Sequence, residues 1–406
     1  MAATSSSPRI AVIGAGIAGI SAAYWLARKG ASVTIYDQER YPAMRTSYAN
    51  GSQLSVCNSG VWNTWPLIIK GLKWMLRKDA PLYISPRPDL AKLSWLMRFI
   101  NVAAQGNAND NTVETIRLAL SGRAAVDEIE AEEGIAFNRV RRGILHVYTD
   151  YASFSSAVAM RSIMETAGCE WTPVPPHQCR VMEPSISPDM PICGGIFTES
   201  DSTGDMHAFA VGLASTMERK YGCAMATGVV VNTLRREGNG VLVNNDRYDH
   251  VVVAAGVDTP RLARLAGDRH CIYPVKGYSI TIDLRTSADR AAAPMVSLLD
   301  EDAKIVCSRL GEDRLRVAGT AELSGHNRDI RMHRIKPLLD WTARWFPGVS
   351  TRTYRPWAGL RPMTPNMLPI VGPGSTDGIW YHAGHGHLGW TIAPGTGRTL
   401  ANLIIP

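Results

Sequence analysis

Gly14-Ala15-Gly16-Ile17-Ala18-Gly19 has the spacing at which bare backbone can receive a dinucleotide pyrophosphate at the start of a helix. Glycine removes the side chains that would stand between phosphate and amide N–H groups, and the helix dipole favours the negative charge. Six residues alone say little. Here Ala23, Leu26, Gly30 and Val33 extend the pattern at helix-packing positions, and Asp37, with Gln38 beside it, follows 18 residues after Gly19, where a carboxylate can take the ribose hydroxyls. An acid at that place disfavours a 2′-phosphate and leaves NAD or the AMP half of FAD. Two later segments return to a nucleotide: one ends in Ala254-Ala255-Gly256, the other is Gly384-His385-Gly386-His387-Leu388-Gly389-Trp390. Three visits suit the longer, extended FAD.

A second chemistry is legible in Gly359-Leu360-Arg361-Pro362. A planar guanidinium grips a carboxylate with two parallel hydrogen bonds, which Lys cannot copy. Arg361 is therefore the candidate for an acidic small molecule, with a salt bridge as the plainer alternative. Tyr278 and Lys304 fall on expected strands and could line a pocket, although a strand tyrosine is as readily a packed aromatic. Trp357 reads as core. His387 is either a substrate or flavin contact or a histidine of a surface turn. No third ligand is spaced to join His385 and His387 around a metal, and no G-x-S-x-G turn supports a hydrolase.

The elements that must carry these groups are of two kinds. β-Branched runs at 10–13 and 32–36 straddle a helical pattern at 17–29, a β-α-β unit, and runs at 228–232 and 250–254 extend it. Runs at 144–148, 278–283, 305–308 and 315–318, joined by short turns, suggest an antiparallel sheet. The expected fold is α/β plus α+β: a Rossmann-like FAD-binding domain with an interleaved substrate domain on a mainly antiparallel sheet. The boundaries read as 1–60, 150–170, 200–272 and 356–406 for the first and 61–149, 171–199 and 273–355 for the second.

The segments TSYANGSQLS (46–55), STGDMHAF (202–209), YPVKGYSITI (273–282), LLDEDAKIVCSR (298–309), WAGLRPMTPNMLPIVG (357–372) and HAGHGHLGWT (382–391), in this order, resemble the FAD-dependent D-amino-acid dehydrogenases. These are a branch of the glycine oxidase, sarcosine oxidase and D-amino-acid oxidase superfamily. The resemblance implies non-covalent FAD, wrapped by Thr46, Ser47, Asn50, Gly51 and Ser52, with Val229 or Val230 at the adenine. It implies that Gly386, His387, Leu388 and Gly389 face the flavin pyrimidine, and that Arg361 holds an amino acid carboxylate. The implied reaction is oxidation of the Cα–N bond of an amino acid, in this family a D-amino acid, to an imine that hydrolyses to a 2-oxo acid and ammonia. Oxidation of a secondary amine, such as an N-substituted glycine or hydroxyproline, is the alternative. Oxygen or a quinone would be the electron acceptor. His387 departs from the small hydroxyl residue usual between GHG and LGW in these enzymes.

Composition fits a globular enzyme: 406 residues, 45% hydrophobic and 19% charged. Seven scattered cysteines without a C-x-x-C pair argue against a disulfide framework or zinc and for a reducing cytoplasm. Cys307 is the last of them, so the carboxy-terminal motifs offer no cysteine for a covalent flavin. The net charge of +7 is concentrated at 61–100, where Lys70, Lys73, Arg77, Lys78, Arg87, Lys92 and Arg98 face only Asp79 and Asp89, among Trp62, Trp65, Trp74 and Trp95. That mixture suits either a peripheral contact with the inner face of a membrane or a helical flap over the substrate domain. One basic cluster is too little for a nucleic-acid partner, and a non-catalytic subunit would have no need of Arg361.

Overall fold

The computed structural model describes residues 7–74 and 81–406; Arg77, Lys78 and Asp79 of the basic segment lie outside the described residues. Two large sheets organise the chain. The first runs in the order Ile370–Pro373, Ile379–Ala383, His250–Val253, Arg9–Ile13, Ser32–Asp37, Ala224–Thr227, and is parallel except at its first edge. Its central strand is apolar on both faces, as a buried parallel strand must be. Ile10 and Val12 pack under the helices Ile17–Arg28, Met206–Tyr221 and Gly389–Ile404, while Ala11 and Ile13 meet a small three-stranded sheet and the helix Thr259–Leu265 on the other face. Each such side chain removed from water contributes about 1.5–3 kcal/mol.

The expected strand at 228–232 does not form. Strand pairing ends at Thr227, because Gly228 adopts φ +72° and turns the chain. The amides of Gly228 and Val229 then donate to the carbonyls of Glu39 (2.8 Å) and Asp37 (2.9 Å), which carries residues 229–230 over the end of the sheet.

The second sheet follows the order Tyr354–Met363, Tyr273–Asp283, Arg314–Leu323, Ile305–Leu310, Ser297–Asp300, Ile144–Tyr148, Gly194–Thr198, Thr172–Val174, with Leu82–Ile84 beside Arg314–Leu323. It is antiparallel except where Ser297–Asp300 meets Ile144–Tyr148 and where Leu82–Ile84 joins. One face buries Tyr278, Ile280 and Val317 against the helix Met332–Trp345 through Leu338, Trp341 and Trp345.

Two joints fix the sheets to each other. Three successive carbonyls of one loop each accept from a different strand of the second sheet: Ala49 from Ser279 Oγ (2.8 Å), Asn50 from Arg316 Nη1 (3.1 Å) and Gly51 from Ser308 Oγ (2.8 Å). The carboxy-terminal helix is wedged backbone to backbone between two others. A Cβ on Gly122 would fall 1.8 Å from the Thr391 carbonyl, and one on Gly397 3.0 Å from the Ala22 amide. No side chain fits at Gly122 and little room remains at Gly397, which seats that helix closely between its neighbours.

Candidate active site

A cavity of about 700 Å³ runs between the two sheets. At its nucleotide end lies the glycine-rich turn. Gly14 has φ +114°, and a Cβ there would sit 2.5 Å from the Ala254 carbonyl; Gly19 lies so close beneath Gly14 that its Cβ would meet the Gly14 carbonyl at 1.7 Å. Gly14 and Gly16 border the cavity; Gly19 does not, and serves only to seat the helix. At Gly16 a Cβ would find nothing nearer than Ser47 Oγ, at 3.4 Å, so this glycine keeps open a space that the protein itself does not fill. The helix has no side-chain cap, and its Ile17 amide donates only to Ser47 Oγ (3.0 Å). The cradle fits a pyrophosphate.

Asp37 accepts from the amides of Ala15 (2.6 Å) and Glu39 (2.7 Å); burial raises its carboxyl pKa, and those two donors oppose the shift. Arg45 pairs with Glu39 (2.6 Å) and Asp258 (2.7 Å), and Gln38 donates to Asp258 (3.0 Å), closing the rim. Sequence reading named Gln38 but missed Glu39, Arg45 and Asp258, the last two of which are 213 residues apart. Ile17, Ala18, Asp37, Gln38, Thr46, Ser47, Asn50, Gly51, Ser52, Val229, Val230, Ala254, Ala255, Gly256, Gly384, Gly386, His387, Leu388, Gly389 and Trp390 all border the cavity.

The other end is made of side chains. Arg361 borders the cavity, donates through Nη1 to the Thr320 carbonyl (2.9 Å), and has no ion pair among the described residues. Burial alone pushes its pKa down to about 10. Its guanidinium lies flat over Gly277, where any Cβ would come within 2.4–2.5 Å of it. Thr320, at φ +62°, also leaves its buried hydroxyl without a partner. A half-buried cation held by one carbonyl and no acid is costly unless an anion joins it, and the cavity is where one can.

His387 stacks on Trp62 (centroids 4.5 Å apart, 29° between planes) and bonds the Asn58 carbonyl at 3.4 Å. Burial, then the neighbouring Arg361 charge, pushes its pKa down to about 3, so the ring is neutral. Asp201 holds the loop that presents Asn58, accepting from the Val56 amide (2.9 Å), the Cys57 amide (3.1 Å) and the Ser55 hydroxyl (2.9 Å). Lys304 reaches the cavity but pairs with Glu301 at 2.5 Å, and His146 bonds the other oxygen of that carboxylate (2.9 Å). Burial would raise the Glu301 pKa, yet Lys304 and His146 outweigh it and hold the acid ionised.

Tyr278 borders the cavity, as expected of a pocket lining, but its hydroxyl is engaged elsewhere. Side chains alternate across a strand. Ser279 faces the loop at Ala49, while the Tyr278 hydroxyl donates to Glu322 (2.9 Å) on the opposite face, in a buried cluster with Lys276.

A glycine cradle for a pyrophosphate, an extended cavity and an unpaired arginine facing helix-terminal amides define a flavin-dependent oxidoreductase. The chain matches the model of the DAO family, FAD dependent oxidoreductases, over residues 9–403, and belongs to that family. It is 46% identical to D-amino acid dehydrogenase 3 of Mesorhizobium japonicum over 98% of this chain and 97% of the relative, and 40% identical to a D-amino acid dehydrogenase of Paramagnetospirillum magneticum over 98% and 94%. Its fold is that of glycine oxidase from Geobacillus kaustophilus (TM-score 0.75, 18% identity, 98% of this chain and 95% of that one). L-Proline dehydrogenase from P. horikoshii shares it too (TM-score 0.72, 17% identity, 98% and 93%). The protein is an FAD-dependent enzyme.

Proposed function

We propose that the protein oxidises the Cα–N bond of a D-amino acid, with the carboxylate on Arg361. The observation that carries this reading is a half-buried guanidinium with no acid beside it among the described residues, at the cavity end reached by the Gly386–Gly389 turn. The 46% identical dehydrogenase supports the substrate class.

Gly14, Gly16 and the Ile17 helix terminus would hold the FAD pyrophosphate, Asp37 the ribose, and residues 46–52 and 386–389 the flavin edge. The chemistry drawn from bound FAD is two-electron acceptance: the Cα–H bond breaks with its pair leaving carbon while the amine lone pair forms C=N. Arg361 fixes the carboxylate by two hydrogen bonds, Gly277 lets the guanidinium lie flat, and the Thr320 carbonyl sets its rotation. His387 and Trp62 close the side of the cavity and keep water out. The amine enters neutral and no side chain need take its proton, so the gain in rate is orientation. Water then hydrolyses the imine to 2-oxo acid and ammonia.

Anaerobic titration of the purified holoenzyme with D-amino acids, L-amino acids and N-alkyl glycines tests this. Bleaching of the flavin band by D-amino acids alone is expected; bleaching by N-alkyl glycines alone would replace the reading with secondary-amine oxidation.

A second reading concerns where the enzyme works. Trp65, Ile69, Leu72, Leu90, Leu93 and Met97 are exposed on the helices Trp65–Trp74 and Leu90–Ala104, beside Lys70, Lys73 and Arg98. Apolar side chains among cations suit the interface of an anionic bilayer; among the described residues no helix is long and apolar enough to cross one. This favours a peripheral contact and a quinone acceptor over oxygen. Co-sedimentation with anionic vesicles but not neutral ones is the expected result.

A further inference from the structure

Past His387 the cavity continues as an arm between the helices Trp65–Trp74 and Leu90–Ala104 and the strand Leu82–Ile84, and its walls change character. Trp62, Ile68, Trp95, Leu96, Phe99 and Leu323 border it. Two features make these walls rigid. Trp95 is 5% exposed, its Nε1 donates to the Met363 carbonyl (2.8 Å), and its ring stacks on Phe99 at 4.9 Å. Trp62 is stacked on His387, whose turn is fixed by the carboxy-terminal helix. Among the described residues, the other charged groups that border the cavity lie at its nucleotide end or are already matched: Arg45 pairs with Glu39 and Asp258 at the nucleotide rim, Arg328 lies near the same three side chains, Arg261 donates to the Val231 carbonyl (3.1 Å), Asp37 accepts from the Ala15 and Glu39 amides, and Lys304 pairs with Glu301. That leaves Arg361 for substrate.

From this we infer that the substrate's side chain is large and apolar, aromatic or branched aliphatic, and that Trp62 is the specificity-determining wall. The inference rests on the proposed D-amino acid reading. With the carboxylate on Arg361 and Cα at the flavin edge, the remaining substituent points past His387 along Trp62. A methyl group would leave the arm lined but unfilled, and every dispersion contact and buried area the walls offer would be lost. A charged side chain would be stripped of water against indole and phenyl rings with no partner among the described residues.

The test is kcat/KM of the holoenzyme, with an artificial acceptor, for D-Phe, D-Leu, D-Ala, D-Asp and D-Lys. D-Phe and D-Leu are expected to exceed D-Ala by about 30-fold, the worth of the extra buried carbons, and D-Asp and D-Lys to fall below D-Ala. In Trp62→Ala the D-Phe to D-Ala ratio should shrink by about tenfold, mostly through KM; Trp62→Phe should restore most of it. Flavin content measured on each variant separates a lost wall from a lost cofactor. Preference for D-Ala, D-Asp or D-Lys, with flavin reduced by D-amino acids throughout, overturns this inference and leaves the proposed function standing. Reduction by no D-amino acid at all overturns both.

Discussion

The two ends of the cavity are built from different materials. The nucleotide end is mostly main chain: a strand, a turn of three glycines and a helix terminus supply its cradle within the residues from Arg9 to Asp37. The substrate end is mostly side chain, with Arg361, Gly277, Thr320, His387 and Trp62 arriving from five separate stretches of sequence. Backbone sites tolerate almost nothing, because a single methyl meets a carbonyl that cannot move. Side-chain sites degrade by degrees, because rotamers and neighbours can yield.

The sharpest way to break that contrast is at Gly19. Its Cβ would fall 1.7 Å from the Gly14 carbonyl, so Gly19→Ala must push the helix from the strand and should give a destabilised chain without flavin. Gly16→Val should also lose FAD, yet keep the thermal stability of the apoprotein, because only Ser47 Oγ at 3.4 Å meets the new Cβ. Flavin absorbance per chain and melting temperature, read together, check both. Full flavin in Gly16→Val would remove the pyrophosphate from this turn.

At the other end Arg361→Lys should keep its flavin and raise KM about 100-fold, the worth of a charged bidentate contact. Gly277→Ala should act through Arg361. A Cβ within 2.4–2.5 Å of the guanidinium tilts it away from its seat, and a shift near 1 Å should lower kcat/KM about tenfold with FAD binding unchanged. If Gly277→Ala raises KM as much as Arg361→Lys does, the glycine holds the whole fork rather than its angle.

This difference also decides what could be read from the sequence. The nucleotide end was legible because its chemistry depends on glycines at fixed short intervals and on periodicities of 2 and 3.6 around them. Arg361 was legible through its flanking residues. The direction of the Tyr278 hydroxyl was not, since the strand from Tyr273 to Ile282 mixes polar and apolar residues on both alternations and carries no sign of which face meets the cavity. Gly277 stood in view within the same strand, but only the guanidinium lying over it explains why the residue is glycine. Asp201 and the Arg45–Asp258 rim are contacts between distant segments, for which spacing holds no signal. The strand expected at 228–232 fails by four residues for a local reason, the turn at Gly228, which was in the sequence and was outweighed by the valines after it.

The smallest predicted effect tests whether side chains at the substrate end are as rigidly held as the backbone opposite. His382 and His385 are buried behind the Gly386–Leu388 turn, and both bond Thr396 Oγ1, at 2.8 and 3.0 Å. His382 Nδ1 faces the Ala18 carbonyl (3.0 Å), which can only accept, so Nδ1 carries the proton. In the neutral ring Nε2 accepts from the Thr396 hydroxyl, and Thr396 in turn accepts from His385 Nε2–H. A proton added to His382 turns that hydroxyl away, toward the Ile392 (3.2 Å) or Ala393 (3.3 Å) carbonyl. Burial accordingly pushes the His382 pKa down to about 4 and that of His385 well below its ordinary value. An unfolded chain takes up these protons near pH 6.5 and the folded one only at lower pH, so the unfolded state binds the extra protons as pH falls below about 6.5. Stability is therefore full above that pH and declines below it, by at most about 1.4 kcal/mol per pH unit for each histidine. The holoenzyme's melting temperature should fall between pH 7 and pH 5. In His382→Asn it should start lower, because the bond to Thr396 is lost, and fall less steeply; an equal slope in both proteins would place the acid sensitivity elsewhere and leave the turn held by its glycines alone.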